Sequence, residues 1–164
     1  LGVEYFGIGD LEVSHNDRYL AYSLDTKGSE YYTIFIREIN TKKIITKEII
    51  ETSGSITFSI DDKFIFYSKL DKNHRARKIY RHKIGNYTDD DELIFEEKSE
   101  AFTVSIGLSS DEKYYFINTS DHNTSEQYYF KVDEEKRYLF TSFINLTSRN
   151  SSMLYTVRDL NLFR

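Results

Sequence analysis

The chain has 164 residues, 16% of them aromatic, and a formal net charge of -5. This length and aromatic content suffice for one domain with a substantial apolar core, and the composition excludes a disordered chain. The weakly acidic charge argues against nucleic acid or an anionic membrane as the main partner, and the absence of cysteine excludes disulfides and thiolate metal sites.

The first predicted elements form a pattern that occurs three times: a short apolar segment, a polar turn, a longer apolar run and an aspartate. The segments are 11–13, 56–58 and 102–108; the turns are Asn16-Asp17, Asp61-Asp62 and Asp111-Glu112; the runs are 19–22, 64–67 and 114–117; and the aspartates are Asp25, Asp71 and Asp121. Asp and Asn suit such turns because their side chains bond the local backbone and tolerate its dihedrals. The pattern predicts a strand, a tight turn and a second strand in each copy.

Each copy continues with two further segments rich in β-branched and aromatic residues. The third segments are 31–36, 78–84 and 127–132, and the fourth are 44–50, 92–97 and 137–143. Such residues favour strands, so each copy predicts four short strands. The second strand is apolar at consecutive positions, which is typical of a strand buried on both faces.

The repeat predicts an all-β fold, a partial β-propeller of four-stranded antiparallel blades. The expected blades are residues 9–52, 53–99 and 100–144, followed by an incomplete blade at 145–164. No helical period of apolar residues is sustained, whereas a β-sandwich remains an alternative. Because a propeller needs about four to eight blades to close, the open blade edges predict self-association.

The order of these segments resembles the propeller of the prolyl oligopeptidase family, most closely its oligopeptidase B (protease II) branch. The resemblance covers nearly all of residues 4–130 and is carried by stretches such as "EYFGIGDLEVSHNDRYLAYSLD" and "FYSKLDKNHRARKIYRHKIG". It implies one portion of a seven-bladed propeller that admits only short peptides to an α/β-hydrolase domain. That domain would carry a Ser-Asp-His triad and cleave after Lys or Arg.

The resemblance also implies one domain-interface residue and shows several departures. Glu4 occupies the family position at the propeller edge that faces the hydrolase domain, where it would pair with an arginine of that domain. The departures are His15 and Ala76, where the family tends to have proline, and Asp159, where it tends to have histidine. The chain contains no proline at all.

No catalytic residues, cofactor or metal ligands are predicted within this chain. The nucleophile elbow G-x-S-x-G of α/β-hydrolases is missing, since Gly54-Ser55 lacks the second glycine. His15, His74, His82 and His122 form no close pair of the kind that zinc sites use. Short peptides would therefore be bound and cleaved with the help of the hydrolase domain.

Two charged segments are interpreted as structural. "DDDE" (89–92) lacks the spacing and glycine of a calcium loop and is expected to be a solvated loop. "HRARKIYRHK" (74–83) could hold phosphates or stack bases, but the acidic net charge favours a blade strand with its charged residues outside.

Two functions remain open from the sequence. The first is the substrate-gating propeller portion of an oligopeptidase B-like serine peptidase, with catalysis supplied by a hydrolase domain. The alternative is a non-catalytic module that binds a peptide or protein through its sheet edges. A carbohydrate-binding propeller is less favoured, because the chain has no tryptophan to stack on sugars. The lack of cysteine, and an N-terminal stretch without the basic and apolar regions of a signal peptide, predict a cytoplasmic location.

Overall fold

The computed structural model describes residues 5–46 and 48–132, which form antiparallel strands and one short 3₁₀ helix. The strands are β1 (Gly7–Val13), β2 (Tyr19–Asp25), β3 (Tyr32–Glu38), β4 (Ile49–Phe58), β5 (Phe64–Leu70), β6 (Ala76–Lys83), β7 (Glu92–Glu96), β8 (Thr103–Leu108), β9 (Tyr114–Ser120) and β10 (Ser125–Lys131), and the 3₁₀ helix is Thr88–Asp90. Within this described part of the chain, no helix is long and apolar enough to cross a membrane. The predicted strand at 137–143 and the predicted incomplete blade at 145–164 lie outside the described residues.

The strands pair in chain order, as expected for consecutive blades of a propeller. Strands β1 to β7 form one continuous antiparallel sheet, and β8 to β10 form a second. The early part of β4 pairs with β3, its late part pairs with β5, and its register is irregular between Thr52 and Ile56. Strand β4 therefore ends blade 1 and begins blade 2, and the predicted boundary between residues 52 and 53 lies inside it. The predicted all-β partial propeller is confirmed.

The turn between the first two strands is built in the same way in all three blades. A serine hydroxyl accepts the N–H of the first residue of the second strand, and it donates to the Asn or Asp two residues further on. The serines are Ser14, Ser59 and Ser109, and the donors of the N–H are Tyr19, Phe64 and Tyr114. The next turn residue has a left-handed φ of 55 to 58°, at Asp17, Asp62 and Glu112. This shared geometry is the physical origin of the sequence repeat.

Two hydrophobic clusters hold the blades face to face. The first cluster lies between blades 1 and 2 and contains Ala21 and Ile34 from blade 1 with Ile65 from blade 2. The second lies between blades 2 and 3 and contains Phe66 from blade 2 with Ile117 from blade 3. Strand β5 therefore contributes neighbouring residues to both clusters.

The prediction of second strands buried on both faces holds fully only for the middle blade. In β5, four consecutive residues, 65–68, are buried. In β2 and β9, buried residues alternate with half-buried ones. The difference arises because blade 2 alone has a described blade on each side.

Candidate functional site

Asp62 joins blade 2 to blade 1 through an interblade clamp. Its carboxylate accepts the backbone N–H of His15 at 2.9 Å and of Asn16 at 2.8 Å, and the ring Nδ1 of His15 lies 3.0 Å away. The side chain of Asp62 is only 5% exposed. Sequence reasoning gave Asp62 a role in its own turn and missed the clamp, because the partners belong to the turn of the preceding blade.

The equivalent contact between blades 2 and 3 uses a different group. The backbone N–H of Ile60, which corresponds to His15, donates to the hydroxyl of Tyr115 at 3.2 Å. Glu112, at the position of Asp62, is exposed, and its carboxylate accepts no hydrogen bond within the described residues. At both blade contacts, a backbone N–H of the serine turn therefore donates to a side chain of the following blade. The acceptor is a carboxylate in one case and a tyrosine hydroxyl in the other.

A buried polar network lies in blade 2. His82 is fully buried, with Nδ1 2.6 Å from Asp91 Oδ1 and Nε2 3.5 Å from Thr46 Oγ1. The hydroxyl of Tyr67 donates to Asp91 Oδ2 at 2.9 Å. Burial raises the pKa of the Tyr67 hydroxyl far above its usual value, and the charge of Asp91 and the hydrogen bond to it act in the same direction. Tyr67 therefore remains a neutral donor.

This network departs from two expectations of the sequence. Residues 74–83 are predicted to form a strand with its charged residues outside, and residues 89–92 a solvated loop, but His82 is fully buried and the Asp91 side chain is only 4% exposed. The reason is the strand register: His82 lies opposite Ile65, on the face of blade 2 that packs against blade 1. The hydroxyl of Thr46, the ring of His82 and the carboxylate of Asp91 lie in the sequence of contacts that a catalytic triad has. Since all three are buried, a substrate has no access and the network is structural.

The other histidines and the carboxylates do not gather into a metal centre. His74 packs its ring against Tyr31, with centroids 4.1 Å apart, and His122 lies in the loop between β9 and β10. Across residues 5–46 and 48–132, no group of three His, Asp or Glu side chains is placed to hold a metal ion.

In each blade, the loop after the second strand is capped by the aspartate at its start, which accepts backbone N–H groups of the loop. These aspartates are Asp25, Asp71 and Asp121. Asp121 accepts the N–H of Asn123 and of Thr124, and these bonds hold the pKa of its carboxyl below the usual range. Burial raises the pKa of Asp25 and of Asp71, but hydrogen bonds from the loop N–H groups outweigh it and both pKa values end low. The three loops therefore have the same ionised cap at the same end of the blades.

The basic segment borders a small cavity, and three of its cationic side chains form ion pairs. The cavity has a volume of about 230 Å³, and its lining includes Arg75, Arg77 and Lys78. Arg77 pairs with Asp71 at 3.0 Å, and Lys78 pairs with Glu96 at 3.3 Å. These pairs agree with the structural interpretation of residues 74–83, because they neutralise part of the positive charge at the cavity.

An apolar surface is exposed on blade 1. We call it the front face; it comprises Leu11, Val13, Leu20, Tyr22 and Phe35, which the strand register places side by side. Leu11 is 57% exposed and Val13 46% exposed. The rings of Tyr22 and Phe35 stack with centroids 5.4 Å apart. Within the described residues nothing covers this face, which agrees with the expected exposure of a terminal blade.

The one residue predicted at a domain interface, Glu4, lies outside the described residues. Its pairing with a hydrolase domain therefore stays a prediction.

Stacked antiparallel blades with a repeated serine turn define the chain as part of a β-propeller. Residues 2–161 match the family model described as "Prolyl oligopeptidase, N-terminal beta-propeller domain". The chain belongs to this family, as the sequence resemblance indicated.

Relatives and solved structures agree with this assignment. The chain is 30% identical to Protease 2 of Moraxella lacunata, over 79% of the chain and 19% of that protein. It is also 30% identical to dipeptidyl aminopeptidase BI of Pseudoxanthomonas mexicana, over 76% of the chain and 17% of that protein. Oligopeptidase B from Leishmania major has the same fold, with a TM-score of 0.82 and 21% identity over 89% of this chain and 20% of that one. The chain thus spans about a fifth of the length of these relatives.

Proposed function

We propose that this chain is the substrate-gating propeller portion of an oligopeptidase B-like serine peptidase that cleaves short peptides after Lys or Arg. It acts together with an α/β-hydrolase catalytic domain outside the matched residues, in the cytoplasm. The observation that carries the proposal is the match of residues 2–161 to the propeller domain of a peptidase family. The likeness to Protease 2 of Moraxella lacunata supports the oligopeptidase B branch.

The geometry of the described blades suits a gate. The blades are joined by two hydrophobic clusters and by the Asp62 clamp, so they form a rigid unit rather than a mobile lid. A rigid barrier of this kind selects peptides by size, whereas the preference for cleavage after Lys or Arg would come from the hydrolase domain. The chain contributes no catalytic group to this scheme.

A complementation assay tests the proposal. The chain is mixed with a separately produced hydrolase domain of Protease 2, and hydrolysis of a short Arg-containing reporter is compared with that of a long, unfolded polypeptide containing the same site. We expect no turnover by the chain alone. We expect the mixture to prefer the short reporter over the long polypeptide more strongly than the hydrolase domain does by itself. A reporter with Glu at the cleaved position is the control. Turnover by the chain alone, or a hydrolase domain unaffected by the chain, would contradict the proposal.

Glu4 is proposed to pair with an arginine of the hydrolase domain and to stabilise the closed enzyme. In the full-length enzyme, Glu4→Gln should lower kcat/KM for peptides, because the variant keeps the size of the side chain and removes its charge. An ester substrate too small to depend on closure serves as the control. Equal peptide kinetics for the variant and its parent would refute the pairing.

A non-catalytic interaction module is the second candidate, and the exposed front face of blade 1 favours it. In the complementation assay, this candidate predicts that the chain binds a partner while the size selectivity of peptide hydrolysis stays the same.

A further inference from the structure

The small cavity in blade 2, at the end where the Asp71 loop joins β5 to β6, has a cationic lining. Its volume is about 230 Å³, and the described residues that line it carry four cationic side chains and one carboxylate: Lys69, Arg75, Arg77, Lys78 and Asp71. All of them lie in blade 2, which has a described blade on each side. The cavity is therefore defined without any residue of the terminal faces.

Two of these cations lie directly opposite each other on neighbouring strands. Lys69 of β5 pairs with Lys78 of β6 in the strand register. Like charges at directly opposite positions destabilise a sheet. The equivalent pair in blade 1 is Leu24 with Thr33, and the equivalent pair in blade 3 has no cation, so the blade fold does not require two lysines here. The unfavourable pair points to a negatively charged ligand between them.

The carboxylates nearest to the two lysines hold them only loosely. Lys69 Nζ lies 3.8 Å from a carboxylate oxygen of Glu51, and Lys78 Nζ lies 3.3 Å from one of Glu96. The four side chains are between 40% and 58% exposed. Exposed ion pairs of this kind contribute little to stability, so both ammonium groups are available to a ligand in the cavity.

Arg75 adds a guanidinium group that has no partner among the described residues, and its backbone is fixed. The N–H of Arg75 donates to Asp71 Oδ1 and the N–H of Asp71 donates to the carbonyl of Arg75, both at 3.0 Å. Blade 1 holds the same loop, because the hydroxyl of Tyr31 donates to the carbonyl of Asp71 at 3.0 Å and its ring packs on His74. The loop therefore presents a planar fork of N–H donors, which matches the oxygens of a phosphate or a carboxylate.

We propose that this cavity binds a phosphate group, held by the guanidinium of Arg75 and by the ammonium groups of Lys69 and Lys78. A phosphate group carries between about -1.5 and -2 charges at pH 7, so it offsets the repulsion between the two lysines better than a singly charged carboxylate does. The cavity is smaller than the roughly 300–1,000 Å³ of pockets for drug-sized ligands, so it suits the phosphate group rather than a whole nucleotide. The acidic net charge of the chain does not oppose such a site, because charges more than about 10 Å away are largely screened at 0.1 M salt. This inference does not rest on the proposed peptidase role.

Isothermal titration calorimetry of the full chain with sodium phosphate at pH 7.5 and constant ionic strength tests the proposal. We expect one site in the parent chain, and Arg75→Gln should weaken binding about tenfold, because charge-assisted hydrogen bonds are among the strong ones. Arg75→Lys keeps the charge and loses the fork, so its affinity should lie between those of the parent and Arg75→Gln. Lys83→Gln is the matched control: it removes the same charge from an exposed residue at the other end of β6 and should bind phosphate as the parent does. No binding by the parent, or equal weakening by Arg75→Gln and Lys83→Gln, would overturn the proposal.

Two further ligands, titrated in the same way, define what carries the phosphate group. Binding of O-phosphoserine that is tighter than binding of inorganic phosphate assigns the site to a phosphate ester, and equal or weaker binding assigns it to the free anion. Acetate should bind more weakly than either, because it carries a single charge. Acetate bound as tightly as phosphate would show a carboxylate site and overturn the assignment.

The role of the two opposed lysines is tested by Lys69→Gln. This variant should raise the melting temperature in the absence of phosphate, because it removes the like-charged pair, and it should weaken phosphate binding. A lower melting temperature would show that Glu51 stabilises Lys69 more than Lys78 repels it, and the argument for a bound anion would fail.

Discussion

Two aspartates with the same local structure have different roles because of what lies opposite them. Asp17 and Asp62 both follow a serine turn and both have a left-handed φ. Asp62 is buried against the turn of blade 1 and accepts hydrogen bonds there, whereas Asp17 is exposed. Turn chemistry alone does not distinguish them, so the contribution of each to stability depends on the neighbouring blade.

We expect Asp62→Asn to lower the free energy of unfolding by about 1–3 kcal/mol, because the charged acceptor of two N–H groups is lost. Asparagine keeps the size of the side chain and tolerates the left-handed backbone. Glu112→Gln, at the equivalent exposed position, is the matched control and should change stability by less than about 0.5 kcal/mol. Urea unfolding measures both variants, and equal effects would argue against the clamp.

The loop caps predict a dependence of stability on pH. The pKa of Asp121 is lower in the folded chain than its unfolded value of about 3.9. Its ionised cap therefore stabilises the fold above that pH, and this stabilisation is lost as the pH falls through the folded pKa. Thermal unfolding between pH 6 and 3 should show that the parent chain loses stability as the pH falls, and that Asp121→Asn loses less. Asp89→Asn is the control, because it changes the net charge equally at an exposed residue, and its stability should depend on pH as that of the parent does. The same dependence of stability on pH in all three chains would contradict the cap.

Strands β4 and β5 show how one element serves two blades. Strand β4 pairs with β3 and then, after an irregular stretch, with β5. The sequence indicated two separate strands there, because the polar residues 51–55 interrupt the apolar pattern. The backbone passes this stretch with left-handed φ values at Glu51 and Gly54, and the strand continues into the next blade. Strand β5, buried on both faces, is then the element on which the packing of all three blades depends.

Equivalent positions on β2 and β5 allow a direct test of this difference. Ile65→Ala should lower the free energy of unfolding by about 2–5 kcal/mol, because the residue is fully buried. Leu20→Ala, 45 positions earlier in the repeat, should lower it by less than about 1 kcal/mol, since the side chain is half-exposed. Urea unfolding measures both variants. Similar losses would show that the front face of blade 1 is covered.

The described blades form a stack whose two outer faces, on blades 1 and 3, have no described blade against them. The two hydrophobic clusters meet at β5, so the three blades are held as one packed body. The terminal faces of that body have the composition of internal faces, and exposed apolar surfaces of this kind mark interaction sites. Because the chain covers about a fifth of the length of these relatives, further blades of the proposed peptidase would pack on these outer faces.

The sequence by itself determined most of the strands, the positions of the three turns and of the aspartates after the second strands, and the family, because each depends on residues close together in the chain or on a repeated pattern of them. The tertiary structure decided the Asp62 clamp, the burial of His82 with Asp91 and the exposure of the front face. The clamp joins residues 46 and 47 positions apart, and the other two depend on which blade face meets a neighbour. The physical reason is that local hydrogen bonds are encoded by adjacent residues, whereas the burial of a polar or apolar group depends on the blade packed against it.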